Sequence, residues 1–395
     1  MPNQTVPKLP MASALAPLAL ALTLVGCGNT EPAERSVESL RLIGEKIMPR
    51  RVEFAETVVG GLSGIDYDET SKRFLLVSDD RTTTDSANAP RMYTGAIAFD
   101  TATVASVAFS STFAMKQPNG ASYPKVPDPL VADPESVRID PISGNYVWAS
   151  EGDRALTATP PRVINPFIRE IRPDGTHVRE YSLPAMLQMK PTESGPRGNL
   201  ALEGITFTPD RSSLVAIMEG ALFDDGATPT VSAGSVSRIT IFNRTTGLPT
   251  AQYAYPIDKV QATPVPADQF TVNGPTEILA ITNDRFLVLE RSFSVGVVGN
   301  QVRLYEISIK DATNILTVPS LKGATYGAVS KRLVLDFETI KAQLNGVANL
   351  EGMTFGPKLA NGRDSLVIVA DDNFPTTDSV TDKNQFLVFE VVPRP

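Results

Sequence analysis

The residues best placed to do chemistry are acids that recur at a regular spacing along this chain of 395 residues. Glu135, Glu203, Glu277 and Glu351 each stand at the start of a short apolar run, and Ser63 occupies the matching point nearest the N-terminus. Successive members of this series are 72, 68, 74 and 74 residues apart. A period of this length indicates one supersecondary unit repeated five times.

A second series of acids follows the second apolar run of each unit. In an antiparallel pair the start of one strand lies beside the end of the next, so we expect both series at the same face of the fold. Carboxylates crowded in this way repel one another and require cations or basic partners, unless some of them are protonated. The second series consists of Asp79, Asp80, Glu151, Glu219, Glu290, Asp371 and Asp372.

Two kinds of positive charge could balance these acids. The first is arginine, because Arg81, Arg154 and Arg291 follow terminal acids and Arg197 precedes the third unit. The planar guanidinium group suits a phosphoester, so Arg81, Arg154 and Arg197 are predicted phosphate contacts. The second is Ca²⁺, which takes six to eight oxygen ligands, and a subset of the two acid series is predicted to bind it. In the alternative interpretation, the acids bond to backbone amides and the arginines form salt bridges between repeats.

Short strands must position these residues. Each unit contains up to four apolar runs joined by Asp-Gly, Thr-Gly and Ser-Gly turns, which is typical of an antiparallel blade in an all-β propeller. The fifth unit lacks a fourth run, and we predict that Leu40 to Met48 supplies it and closes the ring. The sequence therefore predicts five four-stranded blades. A sixth blade within residues 116–131 or 311–328 is the alternative.

The N-terminal segment has the features of an export signal. Lys8 precedes an apolar run from Ala14 to Gly26 that is too short to span a bilayer. The run ends in Leu-Val-Gly-Cys, which resembles the bacterial lipobox, and Cys27 is the only cysteine in the chain. We predict a lipoprotein signal peptide at 1–26, a lipidated Cys27 with a polar tether at 27–39, and a propeller at 40–395.

The predicted location follows from this segment. Cys27 is followed by Gly28 and Asn29 rather than Asp, which resembles sorting to the outer membrane of a Gram-negative cell. We therefore expect a monomer in the bacterial cell envelope, facing the periplasm or the surface. Its contact with the membrane is expected through the lipid anchor only.

Composition excludes several classes of function. A net charge of −8, with no basic stripe, argues against a nucleic-acid partner. His177 is the only histidine, and the chain has no Gly-x-Ser-x-Gly elbow, so a histidine-based triad is disfavoured. Zinc held by cysteine and histidine is excluded by the same inventory. The chain also has no P-loop and no dinucleotide fingerprint.

Several segments resemble one known family. The runs SGIDYDETSKRFLLVSDDR, DPESVRIDPISGNYVWASEG, NLALEGITFTPDRSSLVAIMEG and NLEGMTFGP occur in order between Val58 and Val391. They look like the phytase-like propellers labelled "esterase-like activity of phytase". The resemblance implies an exported bacterial hydrolase of small phosphoesters assisted by Ca²⁺. A binding propeller without catalysis and a Ca²⁺-dependent hydrolase of carboxylic esters or lactones are the alternatives.

Overall fold

The computed structural model describes residues 1–5, 34–81 and 90–395. The chain divides into two compact units, Met1–Glu31 and Pro32–Pro395. In the first unit, residues 1–5 form neither a helix nor a strand. The predicted apolar signal run and the predicted lipidation site, Cys27, lie outside the described residues. No helix in the described ranges is both long enough and apolar enough to cross a membrane.

The described residues of the second unit form five four-stranded antiparallel sheets. Before the first sheet come β1 (Ser39–Ile47) and a small hairpin of β2 (Glu53–Phe54) and β3 (Thr57–Val58). Blade 1 consists of β4 (Leu62–Asp68), β5 (Arg73–Ser78), β6 (Arg91–Phe99) and β7 (Val104–Ala114). Blade 2 consists of β8 (Pro134–Ile139), β9 (Tyr146–Ser150), β12 (Phe167–Ile171) and β13 (His177–Tyr181), with a separate hairpin of β10 (Asp153–Ala155) and β11 (Arg162–Ile164) inserted.

The remaining three blades follow the same plan. Blade 3 consists of β14 (Leu202–Phe207), β15 (Ser213–Met218), β16 (Ser235–Asn243) and β17 (Pro249–Ile257). Blade 4 consists of β18 (Thr271–Ala280), β19 (Arg285–Ser294), β20 (Gln301–Ser308) and β21 (Ser330–Asp336). Blade 5 consists of β22 (Asn349–Phe355), β23 (Ser365–Asp371), β24 (Gln385–Val392) and β1. Short 3₁₀ turns occur at Ala185–Leu187, Phe337–Thr339 and Lys341–Gln343.

The ring is closed by the N-terminal strand, as predicted. β1 pairs antiparallel with β24, from Ser39 opposite Val392 to Ile47 opposite Gln385. The alternative of a sixth blade is wrong. Residues 116–131 contain a single isolated bridge and residues 311–328 contain no strand. The second of these segments packs instead on the outside of blade 3, where the backbone N–H of Ile315 donates to the Gln252 carbonyl at 2.7 Å.

The core lies between neighbouring blades. The innermost strands β4, β8, β14, β18 and β22 pack in a closed circle, each against the next. In β5, Phe74 and Leu76 face blade 5, whereas Leu75 and Val77 face blade 2. Because both faces of such a strand are buried, its sequence is a continuous apolar run rather than an alternation. This explains the unbroken apolar runs that define the repeat.

The residues just before β1 also pack on the propeller. The backbone N–H of Arg35 donates to the Ile281 carbonyl at 3.1 Å, and Val37 is buried between blades 4 and 5. Residues 35–38, which the sequence assigned to the tether, therefore contact the blades directly.

Candidate functional site

A bulge at the start of each innermost strand presents the first series of residues. In blade 1, Leu62 pairs with Ser78 and Gly64 pairs with Val77, so Ser63 has no partner in the ladder. The same break in register leaves Glu135, Glu203 and Glu351 as the bulged residues of blades 2, 3 and 5. A bulge turns its extra residue out of the ladder, so these side chains are aimed away from the blade sheets.

Blade 4 differs from the repeat by one residue. Its bulged residue is Thr276, because Pro275 pairs with Glu290 and Glu277 pairs with Leu289. The equal spacing of 74 residues on either side of Glu277 therefore placed it in the wrong series. In the other blades an acid directly follows the second-strand residue that is paired just before the bulge. In blade 4 that paired residue is Glu290, so Arg291 occupies the position of the acid.

These positions surround one cavity of about 620 Å³ at the mouth of the ring. Among the described residues, nine acids and two arginines, Arg81 and Arg291, line it. Most of these acids are buried, and Asp79, Glu135 and Asp382 are partly exposed. The nine acids are Asp79, Asp133, Glu135, Glu151, Glu203, Glu219, Glu351, Asp371 and Asp382.

The two arginines are held among the acids. Nη1 of Arg81 lies 2.8 Å from Oδ2 of Asp133. Arg291 bridges blades 3 and 5, with Nη2 at 3.3 Å from Glu219 Oε1 and Nη1 at 3.3 Å from Glu351 Oε1. Both guanidinium groups therefore contribute positive charge inside the cavity.

Other acids of the cavity are oriented by amide groups. The backbone N–H of Ala201 donates to Oε1 of Glu151 at 2.7 Å. The side-chain amide of Asn349 donates to Glu351 at 2.9 Å and to Asp371 at 3.1 Å. In contrast, Oδ1 of Asp79 is buried without a hydrogen-bond partner. A buried carboxylate oxygen in this condition is available to a ligand or a cation.

Burial and mutual repulsion disfavour the charged form of these acids. Burial raises the pKa of Asp133 to about 6, although Arg81 opposes the shift. Burial likewise raises the pKa of Glu219 to about 7, against the opposing charge of Arg291. The pKa of Glu203 is raised well above its ordinary value by burial and by the charges of Glu219 and Glu151. The cavity therefore favours either protons or bound cations.

Two groups of three carboxylates have the spacing of metal ligands. Oxygens of Asp133, Glu135 and Glu151 lie within 4.8 Å of one another, and so do those of Glu151, Glu203 and Glu219. We call them triad A and triad B. Glu151 belongs to both, which places the two triads side by side. A donor set made only of oxygens fits a hard cation such as Ca²⁺.

Four acids of the predicted series lie outside the cavity, each with partners of its own. Asp80 binds Arg91 at 2.8 Å. Glu277 binds Arg138 at 2.9 Å. The remaining two also have several donors. Asp372 accepts from the Gly61 N–H at 3.0 Å and the Asn384 amide at 2.7 Å, and Glu290 accepts from Tyr255 at 2.6 Å and from Lys331.

Two of the three predicted phosphate contacts also lie outside the cavity lining. Arg154 and Arg197 approach Phe223, with guanidinium carbons 4.9 Å and 4.0 Å from the ring centroid. Arg154 donates to the Lys190 carbonyl at 2.9 Å, and Arg197 donates to the Ala221 carbonyl at 3.1 Å. Of the three, Arg81 is the one that lines the cavity.

Sequence reasoning did not place Asp133 in the site. Asp133 stands two residues before Glu135, at the position that Asn349 occupies before Glu351. Residues two apart in an extended segment point to the same side, so this alternation could have identified Asp133. The apolar side chains of the cavity wall, Phe270 and Phe293 among them, were also missed because they lie outside the repeated motif.

Solved structures with similar backbones are propellers and related folds of low sequence identity. The periplasmic gluconolactonase of Pseudomonas aeruginosa is 12% identical, with 92% of this chain and 97% of that chain covered and a TM-score of 0.37. The aldose sugar dehydrogenase of Streptomyces coelicolor is 15% identical, with 92% and 100% covered and a TM-score of 0.38. An N-acetylgalactosamine deacetylase from F. plautii is 10% identical, with 89% and 95% covered and a TM-score of 0.41.

A comparison with curated proteins finds no match. A family model does match, over residues 57–374, and this range contains all of the cavity lining except Thr381 and Asp382. The repeated Glu-Gly motifs and the terminal acids of the blades fall within it. The chain therefore belongs to the phytase-like family, whose model is described as "esterase-like activity of phytase".

Proposed function

We propose that this protein is a hydrolase of phosphoesters that works with Ca²⁺ in the carboxylate cavity. The observation that carries the proposal is the convergence of nine acids and two arginines on one cavity of about 620 Å³. Membership of the phytase-like family supports an ester as the substrate. The arginines favour an anionic ester, because a guanidinium group can bind two oxygens of a phosphoryl group at once.

The residues fit Ca²⁺ on two observations. The donors are oxygens only, and triads A and B have the spacing of metal ligands. Asp133, Glu135, Glu151, Glu203 and Glu219 would hold the ion or ions. A bound Ca²⁺ would supply a Lewis acid for a phosphoryl oxygen and offset the charge of the carboxylates.

The protein's own groups account for the rest of the chemistry. Arg81 and Arg291 orient the phosphoryl group and neutralise charge that develops on its oxygens. Asp79 is outside both triads and lines the cavity, and its carboxylate accepts a proton from the attacking water. The buried walls of the cavity strengthen each of these interactions because they exclude bulk water.

The proposal includes export and anchoring through Cys27. Its support is the Leu-Val-Gly-Cys sequence at the end of the apolar run. Bacteria that express the full chain are grown with labelled palmitate, and label in the protein is expected. Cys27→Ala should abolish the label, and equal labelling of this variant would contradict the anchor.

The test of hydrolysis uses phosphate release from 4-nitrophenyl phosphate and from phytate, with Ca²⁺ and with excess chelator. We expect Ca²⁺-dependent release from at least one of the two esters, and Arg81→Ala and Asp79→Asn should each reduce it by about 100-fold, the usual effect of losing a charge stabiliser or general base. Glu180→Gln is the matched control, since Glu180 pairs with Arg169 on the outer strands of blade 2. This variant should retain full activity.

Other outcomes identify the alternatives. Cleavage of 4-nitrophenyl acetate or a lactone without any phosphate release would make the protein a carboxylic-ester hydrolase. The absence of hydrolysis with every substrate, in protein that still binds Ca²⁺, would make it a binding propeller.

A further inference from the structure

The apolar residues of the cavity lining are confined to one side. Among the described residues, blades 1, 2 and 5 contribute only polar side chains to its lining. All of the apolar lining comes from blades 3 and 4 and the loops beside them. These apolar residues are Leu200, Pro229, Phe270, Val272 and Phe293. A ligand with an apolar end would therefore place that end against blades 3 and 4.

The apolar side is built by an extension of blade 4. In blades 1, 2 and 3 the ladder between the two inner strands begins at the pair before the bulge, and in blade 5 it begins one pair earlier, at Asn349 opposite Asp371. In blade 4 it continues for four more pairs, which include Val272 opposite Phe293 and Gly274 opposite Arg291. Residues two apart on a strand share a face, so Arg291 and Phe293 point to the same side. The strand thus runs from the charged part of the cavity to its apolar wall.

The aromatic residues of this wall are fixed but not buried. Phe270 is 65% exposed, and its ring centroid lies 6.4 Å from that of Phe293. The backbone N–H of Val295 donates to the Phe270 carbonyl at 3.1 Å, which anchors the segment to the end of β19. An aromatic pair that stands at the mouth of a polar cavity contributes little to the core and offers a surface for another ring.

The charge of the cavity limits how many phosphoryl groups it can accept. Dications at triads A and B, together with Arg81 and Arg291, would supply six positive charges against the nine acids of the lining. A polyphosphorylated substrate would bring many more negative charges into this balance. A substrate with one phosphoryl group and an uncharged remainder adds the least negative charge to this balance.

We propose that the substrate is an aryl phosphomonoester whose leaving group packs against Phe270, Val272 and Phe293. This inference rests on the proposed phosphoester hydrolase and names its substrate class. The phosphoryl group lies beside Arg291 and Arg81. Water forms the new P–O bond as Asp79 takes its proton, the bond between phosphorus and the aryl oxygen breaks, and the departing phenolate takes up that proton from Asp79. Phytate, which is polyanionic and has no aromatic ring, is a poor substrate.

Binding of substrate mimics that cannot be hydrolysed tests the apolar subsite without catalysis. Calorimetric titration in Ca²⁺ compares phenylphosphonate with methylphosphonate. The wild-type protein is expected to bind phenylphosphonate about tenfold more tightly, because the ring is removed from water. Phe270→Ala should remove most of this preference. Val298→Ala is the matched control, because Val298 is 81% exposed on blade 4 but does not line the cavity.

Hydrolysis supplies the second measurement. Phe270→Ala should lower kcat/KM for 4-nitrophenyl phosphate about tenfold and leave kcat/KM for acetyl phosphate, which has a small leaving group, unchanged. If the protein released phosphate but bound the two phosphonates equally, the proposal of an aryl subsite would be wrong and the proposal of a phosphoester hydrolase would stand. Selective binding of phenylphosphonate without any hydrolysis would overturn the hydrolase and support the aryl subsite.

Discussion

Nη2 of Arg138 lies 2.9 Å from Oε2 of Glu277, and both side chains are buried where the five innermost strands meet. Arg138 also donates to the carbonyl oxygens of Ile65, Ile278 and Met353, at 2.7, 3.2 and 3.1 Å. These carbonyls belong to blades 1, 4 and 5, and Arg138 itself belongs to blade 2. One ion pair therefore ties four blades together at the axis.

Arg138→Met tests the contribution of this pair to stability. The substitution leaves the Glu277 carboxylate buried without its cation, and breaking a buried pair in this way typically costs about 3–5 kcal/mol. The measurement is the free energy of unfolding from urea titration. Lys72→Met is the control, because the pair of Lys72 with Glu69 is exposed and should change nothing measurable. Equal free energies of unfolding for the two variants would show that the axial pair does not stabilise the fold.

The axis has room for Glu277 because small residues occupy the matching positions of the other blades. These residues are Gly64, Ser136, Gly204 and Gly352. A Cβ atom on Gly204 would lie 2.6 Å from Oε1 of Glu277 and 2.6 Å from the backbone nitrogen of Ile278. At such distances either the side chain or the strand must move.

Gly204→Ala is therefore expected to destabilise the fold by about 1–3 kcal/mol, the usual range for overpacking. Gly327→Ala is the matched control, since the nearest atom to its Cβ would be 3.5 Å away. The melting temperatures of the two variants are compared with that of the wild type. A loss of the same size in both would indicate a general effect of the added methyl group and contradict the tight axis.

The repeat could be predicted from sequence because it depends on local chemistry. Apolar runs, turn residues and the period of the Glu-Gly motifs together specified five blades and the closing strand. The register of blade 4 could not be predicted in the same way. A bulge at Thr276 shifts the pairing by one residue, and the equal spacing of 74 residues on either side of Glu277 masks this shift. Counting therefore assigned Glu277 to the cavity, whereas the pairing assigns it to the axis.

Residue type alone also could not distinguish arginines that line the cavity from arginines that pack elsewhere in the fold. Arg81 and Arg154 follow the terminal acids of their units, and Arg197 precedes the third unit. Arg81 reaches Asp133 inside the cavity, whereas Arg154 and Arg197 pack on Phe223. The difference depends on loops outside the repeat, whose paths the repeat does not determine.

The metal-free protein should lose stability as the pH rises. Burial raises the pKa of Asp133 to about 6 and that of Glu219 to about 7, so the folded chain keeps protons that the unfolded chain, with carboxyl pKa values near ~4, has already lost. Folding then takes up protons between about pH 4 and pH 7, and the free energy of unfolding falls as the pH rises through this window. Calorimetry of metal-stripped protein at pH 5 and pH 8 measures the change in Tm, which should be at least about 2 °C.

Ca²⁺ should reduce this dependence, because a bound cation stabilises the ionised carboxylates that the metal-free fold disfavours. The Tm at pH 8 is therefore expected to rise with Ca²⁺ more than the Tm at pH 5. Glu219→Gln should flatten the profile of the metal-free protein, since it removes one of the groups that titrate. Identical profiles with and without Ca²⁺ would exclude a cation from the cavity.

The geometry of the two triads makes a prediction that separates them. Glu151 belongs to both triads, Asp133 to triad A alone and Glu203 to triad B alone. Calorimetric titration of Ca²⁺ should therefore show two sites in the wild type. Asp133→Asn should weaken one of them and Glu203→Gln the other, each by at least about tenfold, because affinity for Ca²⁺ depends on the number of charged ligands. Glu151→Gln should weaken both.

Glu180→Gln provides the control for a change of one charge in blade 2, and it should leave both sites intact. The conclusion depends on which site each variant weakens rather than on the value of any single affinity. If Glu151→Gln weakened one site only, the two triads would not share that carboxylate in solution. If Asp133→Asn and Glu203→Gln weakened the same site, the cavity would hold one ion between the triads, since only a single ion could depend on carboxylates from both.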